Sequence, residues 1–302
     1  MFRFLLFIPL VVASALPANA RGYSFASRTQ AGRGAKLVAA VVRELRGLDA
    51  VIAHQIPLYA IVVAPVVRPA GIPLVLWWSH WKMDAVVRLA EAASTKVVTV
   101  GPTTFPRESR KVVTIGQAID VDRFAVDRIP HEGTQAVVIG RYSPAKGVDT
   151  IVRAVAQVPE LRLDVYGPAP NDEARRERDS LERLVQELGV ADRVALHGPL
   201  TRDEVVDVLR RADVLVNNAP GGADRIVYEA AAAGVPVLAS NPAHDDLLDP
   251  EAFFARDDVS GLAAKLATVD RNAGEHLRAR VRQNHSLESW ADGLLRLALT
   301  PP

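Results

Sequence analysis

Ala136-Val-Val-Ile-Gly140-Arg141-Tyr-Ser-Pro-Ala-Lys146-Gly147 and Ala212-Asp-Val-Leu-Val-Asn-Asn218-Ala-Pro-Gly221-Gly222-Ala-Asp224 are the stretches that decide the fold. Each opens on a short apolar run rich in β-branched residues, as a buried strand does, and breaks at glycine or asparagine into a polar loop. After the first loop, Asp149 and Thr150 are suitable starts for a helix over Ile151–Gln157. After the second, Arg225-Ile-Val-Tyr-Glu229-Ala-Ala-Ala-Ala-Gly234 reads as a helix with a glycine stop, and Val235-Pro-Val-Leu-Ala-Ser240 as the next strand. Strand, loop, helix and strand in so few residues is a βαβ unit of a parallel sheet.

Ligands of open parallel sheets bind beyond the carboxyl ends of the strands, which is where both loops fall. Arg141 and Lys146 are cations beside a helix start, an arrangement that favours a phosphate anion. Taken singly, either can equally be a solvated loop cation. Gly221 and Gly222 allow close backbone approach with N–H groups turned to an anion or a sugar. Glu229 can accept two hydrogen bonds from vicinal hydroxyls, as on a ribose, or be an ordinary helix-surface carboxylate.

In order and spacing, Gly140-Arg141-x4-Lys146-Gly147, His197-Gly198-x-Leu200, Ala212-Asp-Val-Leu-Val216 and Glu229-Ala-x3-Gly234-Val-Pro-Val237 resemble the C-terminal domain of retaining GT-B glycosyltransferases of the glycogen-synthase-like family 4. The resemblance covers roughly residues 110 to 295. Ile115–Phe124 looks like that family's interdomain segment, and His285-Ser-Leu-Glu-Ser-Trp290 like its closing helix. It implies an α/β GT-B architecture of two Rossmann-like domains with parallel sheets and an interdomain cleft. The domains would be 1–125 on the acceptor side, shortened at its start, and 126–285 for the nucleotide sugar, with 286–302 a helix returning toward the first.

The implied activity is metal-independent transfer of a sugar, with retention, from a nucleotide diphosphate donor to a hydroxyl of a glycan or lipid-linked acceptor. No cofactor besides that donor is implied. Arg141 and Lys146 would hold the diphosphate, Gly140, Gly221, Gly222 and Asp224 would line its site, and Glu229 would take the ribose. The family usually carries a Glu-x7-Glu pair here, but eight residues before Glu229 stands Gly221, leaving nearby Asp224 or the glycine backbone to replace the missing acid.

Toward the N-terminus, Ala50–His54, Ile72–Trp78 and Lys96–Val100 read as strands, and Lys36–Arg46 and Leu58–Val67 as helices. His54 and His80 fall at strand ends; the resemblance carries a donor-sugar contact to His80 and an acceptor-side role to His54, while each also fits a satisfied, partly buried imidazole. Trp77, Trp78 and Trp81 can offer sugar-stacking surfaces or be core. Met1 to Ala20 has an early Arg, an apolar run and an Ala-x-Ala end, as a secretory signal peptide has. The reading preferred here is an interior strand of the shortened first domain, running into Leu16-Pro-Ala-Asn19. That domain would then lack its first strand and Gly-rich loop.

The 302 residues are 49% hydrophobic and carry a formal charge of +1, which gives no reason to expect nucleic acid. Without cysteine there is no disulfide scaffold or thiolate chemistry, which suits a cytoplasmic setting. Peripheral membrane contact stays open, although Arg21, Arg28, Arg33 and Lys36 are few and scattered. No Gly-x-Ser-x-Gly elbow, His-Glu-x-x-His helix or Walker loop occurs. Gly32-Arg-Gly34 reads as a loop, and His244-Asp245-Asp246 as a turn with a helix cap rather than a metal site. Three rival readings remain: a non-catalytic GT-B subunit or remnant, an exported binding protein and a nucleotide-sugar epimerase.

Overall fold

A computed structural model describes residues 4–7, 20–22 and 30–299. The chain divides into two units, residues 1–116 with 290–302 and residues 117–289.

The first unit is built on a six-stranded, all-parallel sheet in the order β2-β1-β3-β4-β5-β6. Its strands are β1 (Phe4–Phe7), β2 (Ala20–Gly22), β3 (Ala50–His54), β4 (Leu74–Trp77), β5 (Lys96–Thr99) and β6 (Val112–Thr114), with helices α1 (Gln30–Glu44), α2 (Pro57–Val67) and α3 (Ala85–Ala93) between them. Phe4–Phe7 thus forms an interior strand, bonded to β2 and β3. Leu16–Asn19 lies outside the described residues.

Gly32-Arg-Gly34, expected to be a loop, instead lies within α1. Two glycines cost a helix only about 1 kcal/mol each relative to alanine. The amphipathic run through Leu37 and Val41, both fully buried, outweighs that. A β-carbon at Gly34 would meet Val62 of α2 at 3.8 Å, so the small residue sits where the two helices approach.

The second unit holds a five-stranded parallel sheet in the order β11-β10-β7-β8-β9. In chain order it runs β7 (Thr134–Ile139), α4 (Val148–Ala156), β8 (Leu161–Tyr166), α5 (Asp172–Glu187), β9 (Val194–His197), α6 (Arg202–Arg211), β10 (Val214–Asn217), α7 (Arg225–Ala232) and β11 (Val237–Ala239), followed by α8 (Val259–Ala267) and α9 (Glu275–Asn284). Helix α10 spans Leu287–Leu299. One sheet face is a dry core, in which Val138, Leu163, Val165 and Val216 meet Ile151 and Val155 of α4, Leu181 of α5 and Leu262 of α8.

The strand order places the site. The chain starts at central β7, steps outward through β8 to β9, then returns to the other side of β7 for β10 and β11. Neighbouring β7 and β10 therefore send their following loops in opposite directions, leaving a crevice at the carboxyl edge, the topological switch point where open parallel sheets bind ligands. Both loops quoted from the sequence flank it.

Candidate functional site

Lys146 closes a short 3-10 turn, Pro144–Lys146, which begins where Ser143 accepts a hydrogen bond from the Ala145 amide. Gly147 follows with φ +54°, a left-handed conformation open to glycine, and a β-carbon there would run into the Asn218 carboxamide. Asn218 Nδ2 donates to the Gly147 carbonyl at 3.0 Å and so ties the two loops together across the switch point. Arg256 adds a second tie, donating to Asn218 O at 3.1 Å and Ala145 O at 3.2 Å. Sequence reasoning gave Asn218 no role and had no signal for Arg256, whose position follows from chain folding after β11.

The site cations behave differently. Arg141 is exposed, and its side chain has no hydrogen bond or ion pair among the described residues. Lys146 folds back across Gly140 and forms an ion pair with Asp224, each side chain 26% exposed. Asn217 Nδ2 donates to the same Asp224 oxygen at 3.0 Å. Asp224 is the N-cap of α7 yet makes no capping hydrogen bond. Its carboxylate is thus an internal anion held by a lysine beside a helix N-terminus, where a phosphate oxygen would also be stabilised.

Gly221 has φ +110°, so a side chain at this position would strain the turn. Its carbonyl and that of Gly222 accept from Asn241 Nδ2 at 2.8 and 3.3 Å, which fixes the loop and leaves its amide N–H groups to offer to a ligand. Glu229 is not a solvated surface carboxylate. Its side chain is 12% exposed and accepts from Arg225 Nε at 2.9 Å, and Arg225 also donates to Ala118 O at 3.1 Å.

Behind this loop the structure corrects the reading of His244-Asp245-Asp246. The residues do form a short turn, Pro242–His244, but its cap is Asn241, which accepts from the Ala243 amide. His244 and Asp246 turn inward. His244 is completely buried and neither ring nitrogen has a hydrogen-bond partner among the described residues. Tyr228 donates to Asp246 Oδ1 at 3.1 Å, and the Tyr228 ring lies 4.7 Å from the His285 ring and 5.6 Å from that of His244. Burial pulls the imidazolium pKa of both histidines down to about 4 and pushes the Asp246 carboxyl up to about 6. His244 also feels the charges of Asp224 and Lys146, so this buried cluster abuts the ion pair.

In the first unit, His54 ends β3 with its ring stacked on Trp77 at 5.8 Å. Its Nδ1 is buried with no hydrogen-bond partner among the described residues, so it is not the satisfied imidazole that its place at a strand end allowed, and burial lowers its pKa to about 4. His80 accepts from the Lys82 amide at 3.1 Å and lies between the Trp78 and Trp81 rings, at 5.7 and 5.9 Å. Its pKa is lowered by partial burial and by Lys82. Trp77 is core, packed edge-on against Trp290 at 5.6 Å, whereas Trp81 is 52% exposed.

Comparison with known proteins places this geometry. Residues 133–272 match the family described as glycosyl transferases group 1. The D-inositol 3-phosphate glycosyltransferase of Mycolicibacterium smegmatis is 35% identical over 117 residues, which span 38% of this chain and 27% of that protein. Among solved structures, Anabaena HepE in complex with UDP superposes with a TM-score of 0.82 at 16% identity, covering 98% of this chain and 99% of that one. Sucrose-phosphate synthase from Thermosynechococcus elongatus gives 0.73 at 19% identity, covering 91% and 79%. Those identities speak for the fold alone. Residues 133–272 of the second unit thus match the glycosyl transferases group 1 model, and the two parallel-sheet units have the GT-B fold.

Proposed function

We propose that the chain transfers a sugar from a nucleotide diphosphate donor to a hydroxyl acceptor, with retention of configuration. The carrying observation is the Lys146–Asp224 pair at the switch point of the second sheet, beside the start of α7 and within the family-matched segment. The name of the inositol-phosphate relative and the UDP bound to HepE support a nucleotide-sugar reading for this chain.

In the proposed mechanism, the donor diphosphate displaces Asp224 from Lys146 and gains Arg141 as a second cation. A diphosphate carries more charge than a carboxylate, so the exchange favours the donor. Arg141, Lys146 and the Gly221–Gly222 amides then offset the negative charge that develops on the departing diphosphate, the role a metal ion plays elsewhere. Glu229, pre-oriented by Arg225, would accept from the ribose hydroxyls. His80 is assigned the donor-sugar contact and His54 the acceptor side, as the family resemblance implies. The acceptor is assigned to the glycan or lipid-linked class on the same ground.

Calorimetry with UDP and GDP on the intact chain and on Arg141→Ala and Lys146→Ala tests this. Binding to the intact chain that both variants lose supports the site; equal binding by all three rejects it. A second reading, a nucleotide-binding protein without transfer, is favoured by Gly221 standing in place of the acid. Release of free sugar or glycoside from a nucleotide sugar would exclude it.

A further inference from the structure

Strand β8, Leu161-Arg-Leu-Asp-Val-Tyr166, is second from the edge of a parallel sheet, where both faces are ordinarily buried and the sequence runs apolar throughout. Instead it alternates. Leu161, Leu163 and Val165 enter the dry core, whereas Arg162, Asp164 and Tyr166 occupy the opposite face. Gln135 on β7 and His197 on β9 continue that polar face to either side. Helix α6 crosses the face without sealing it: of its apolar residues only Leu209 is fully buried, and Val205, Val206 and Val208 remain partly exposed. Between helix and sheet lies a cavity of about 440 Å³, lined by Ile129, His131, Gln135, Asp164, Tyr166 and Arg211 together with Val137 and Val208.

Asp164 is the hub of this cavity. Its Oδ1 pairs with His197 Nε2 at 2.8 Å and its Oδ2 accepts from Gln135 Nε2 at 3.1 Å. The His197 ring stacks on Tyr166 at 4.4 Å, forming an aromatic wall. Arg211, at the end of α6, also lines the cavity, and its guanidinium has no hydrogen bond or ion pair among the described residues. None of these groups belongs to the donor site. A carboxylate, an imidazole and a carboxamide, partly exposed and hydrogen-bonded to one another on the sheet face, contribute nothing to the dry core.

We propose that this cavity is a second binding site, for a neutral polyhydroxylated ring such as a monosaccharide. The lining chemistry selects that class. Asp164 disfavours an anion, Arg211 disfavours a cation, and the density of donors and acceptors disfavours a purely apolar guest. A sugar ring matches what remains: hydroxyls for Asp164, Gln135 and Arg211, and C–H faces for Tyr166, Val137 and Val208. The inference stands independently of the donor site.

The test is saturation-transfer NMR on the full chain with methyl α-D-glucoside in the presence of saturating UDP, with glucose 6-phosphate and glucosamine as charged probes. The glucoside is expected to bind saturably and at least tenfold more tightly than either charged probe, with Val208→Trp, which fills the cavity, and Asp164→Asn each weakening it at least tenfold. Arg211→Ala, a change at an exposed position, is expected to weaken it about threefold and serves if the filled variant does not fold. Absence of saturable glucoside binding, binding unchanged in Asp164→Asn and Arg211→Ala, or preference for a charged probe overturns the proposal.

Discussion

Two charge clusters lie side by side in the second unit and follow opposite rules. Around Lys146, Asp224 and Asn217 the groups are partly exposed and mutually bonded. Around Tyr228, His244, Asp246 and His285 they are buried, and among the described residues only the Tyr228 hydroxyl and one Asp246 oxygen are hydrogen-bonded to each other, with His285 Nε2 3.6 Å from the other Asp246 oxygen. The first can exchange a partner at little cost, because a half-exposed ion pair is worth only about 1 kcal/mol or less. The second cannot, because each desolvated group there would lose whatever bond it has without water to replace it. A ligand should thus be felt at the first cluster and acidity at the second.

The largest effect that would break this contrast is expected from Lys146→Ala. Loss of a charge-assisted contact worth about 1.5–3 kcal/mol should weaken diphosphate binding roughly 10- to 150-fold. Thermal stability should hardly change, and a large fall in the melting temperature would mean that the pair is structural. Tyr228→Phe makes the converse case. It leaves Asp246 without its donor and should cost about 1–3 kcal/mol, read as a melting temperature lower by several degrees, with UDP affinity preserved.

Acidity sharpens the comparison further. With folded-state pKa values near 4 against an ordinary imidazole value of 6.5, His244 and His285 bind fewer protons folded than unfolded, so their contribution to stability is lost as pH falls from about 6.5 toward 4. Asp246, raised from 3.8 to about 6, binds more protons folded and contributes in the opposite direction as pH falls through 6. Two groups oppose one, so the cluster should lose stability on acidification. His285→Gln should flatten the acid limb of urea-derived stability between pH 6.5 and 4 relative to the parent chain; an unchanged slope would show that His285 does not carry it. The smallest expected effect is from Asp224→Asn. Removing the internal competitor for Lys146 should tighten UDP binding a few-fold, and weaker binding would show that Asp224 helps the ligand rather than yielding to it.

Much of the first cluster was legible in the sequence because its parts fall at strand ends, where apolar runs break off at Gly140 and Asn218 and the helix stop at Gly234 fixes the direction of travel. The Lys146–Asp224 pair itself was not legible: a contact across 78 residues depends on β7 and β10 being neighbours, and linear spacing does not reveal strand order. The second cluster was legible only as a turn, for a related reason. His244-Asp245-Asp246 has the composition of a surface turn, and only the packing of Tyr228 and His285 over it turns His244 and Asp246 inward. Gly32 and Gly34 misled in the other direction, because glycine marks loops on average, whereas here both lie in a helix whose apolar face decides its formation.

The φ of +110° at Gly221 bears on any attempt to place an acid in this loop. Reinstalling glutamate there is not a single-letter edit, since the turn, pinned through Asn241, would have to be rebuilt together with the residue. Each single substitution along that route meets a strained backbone or a severed tie. For an engineer, the accessible handle is Asp224, in the same loop, whose partly exposed carboxylate can be exchanged for a neutral amide without rebuilding the turn.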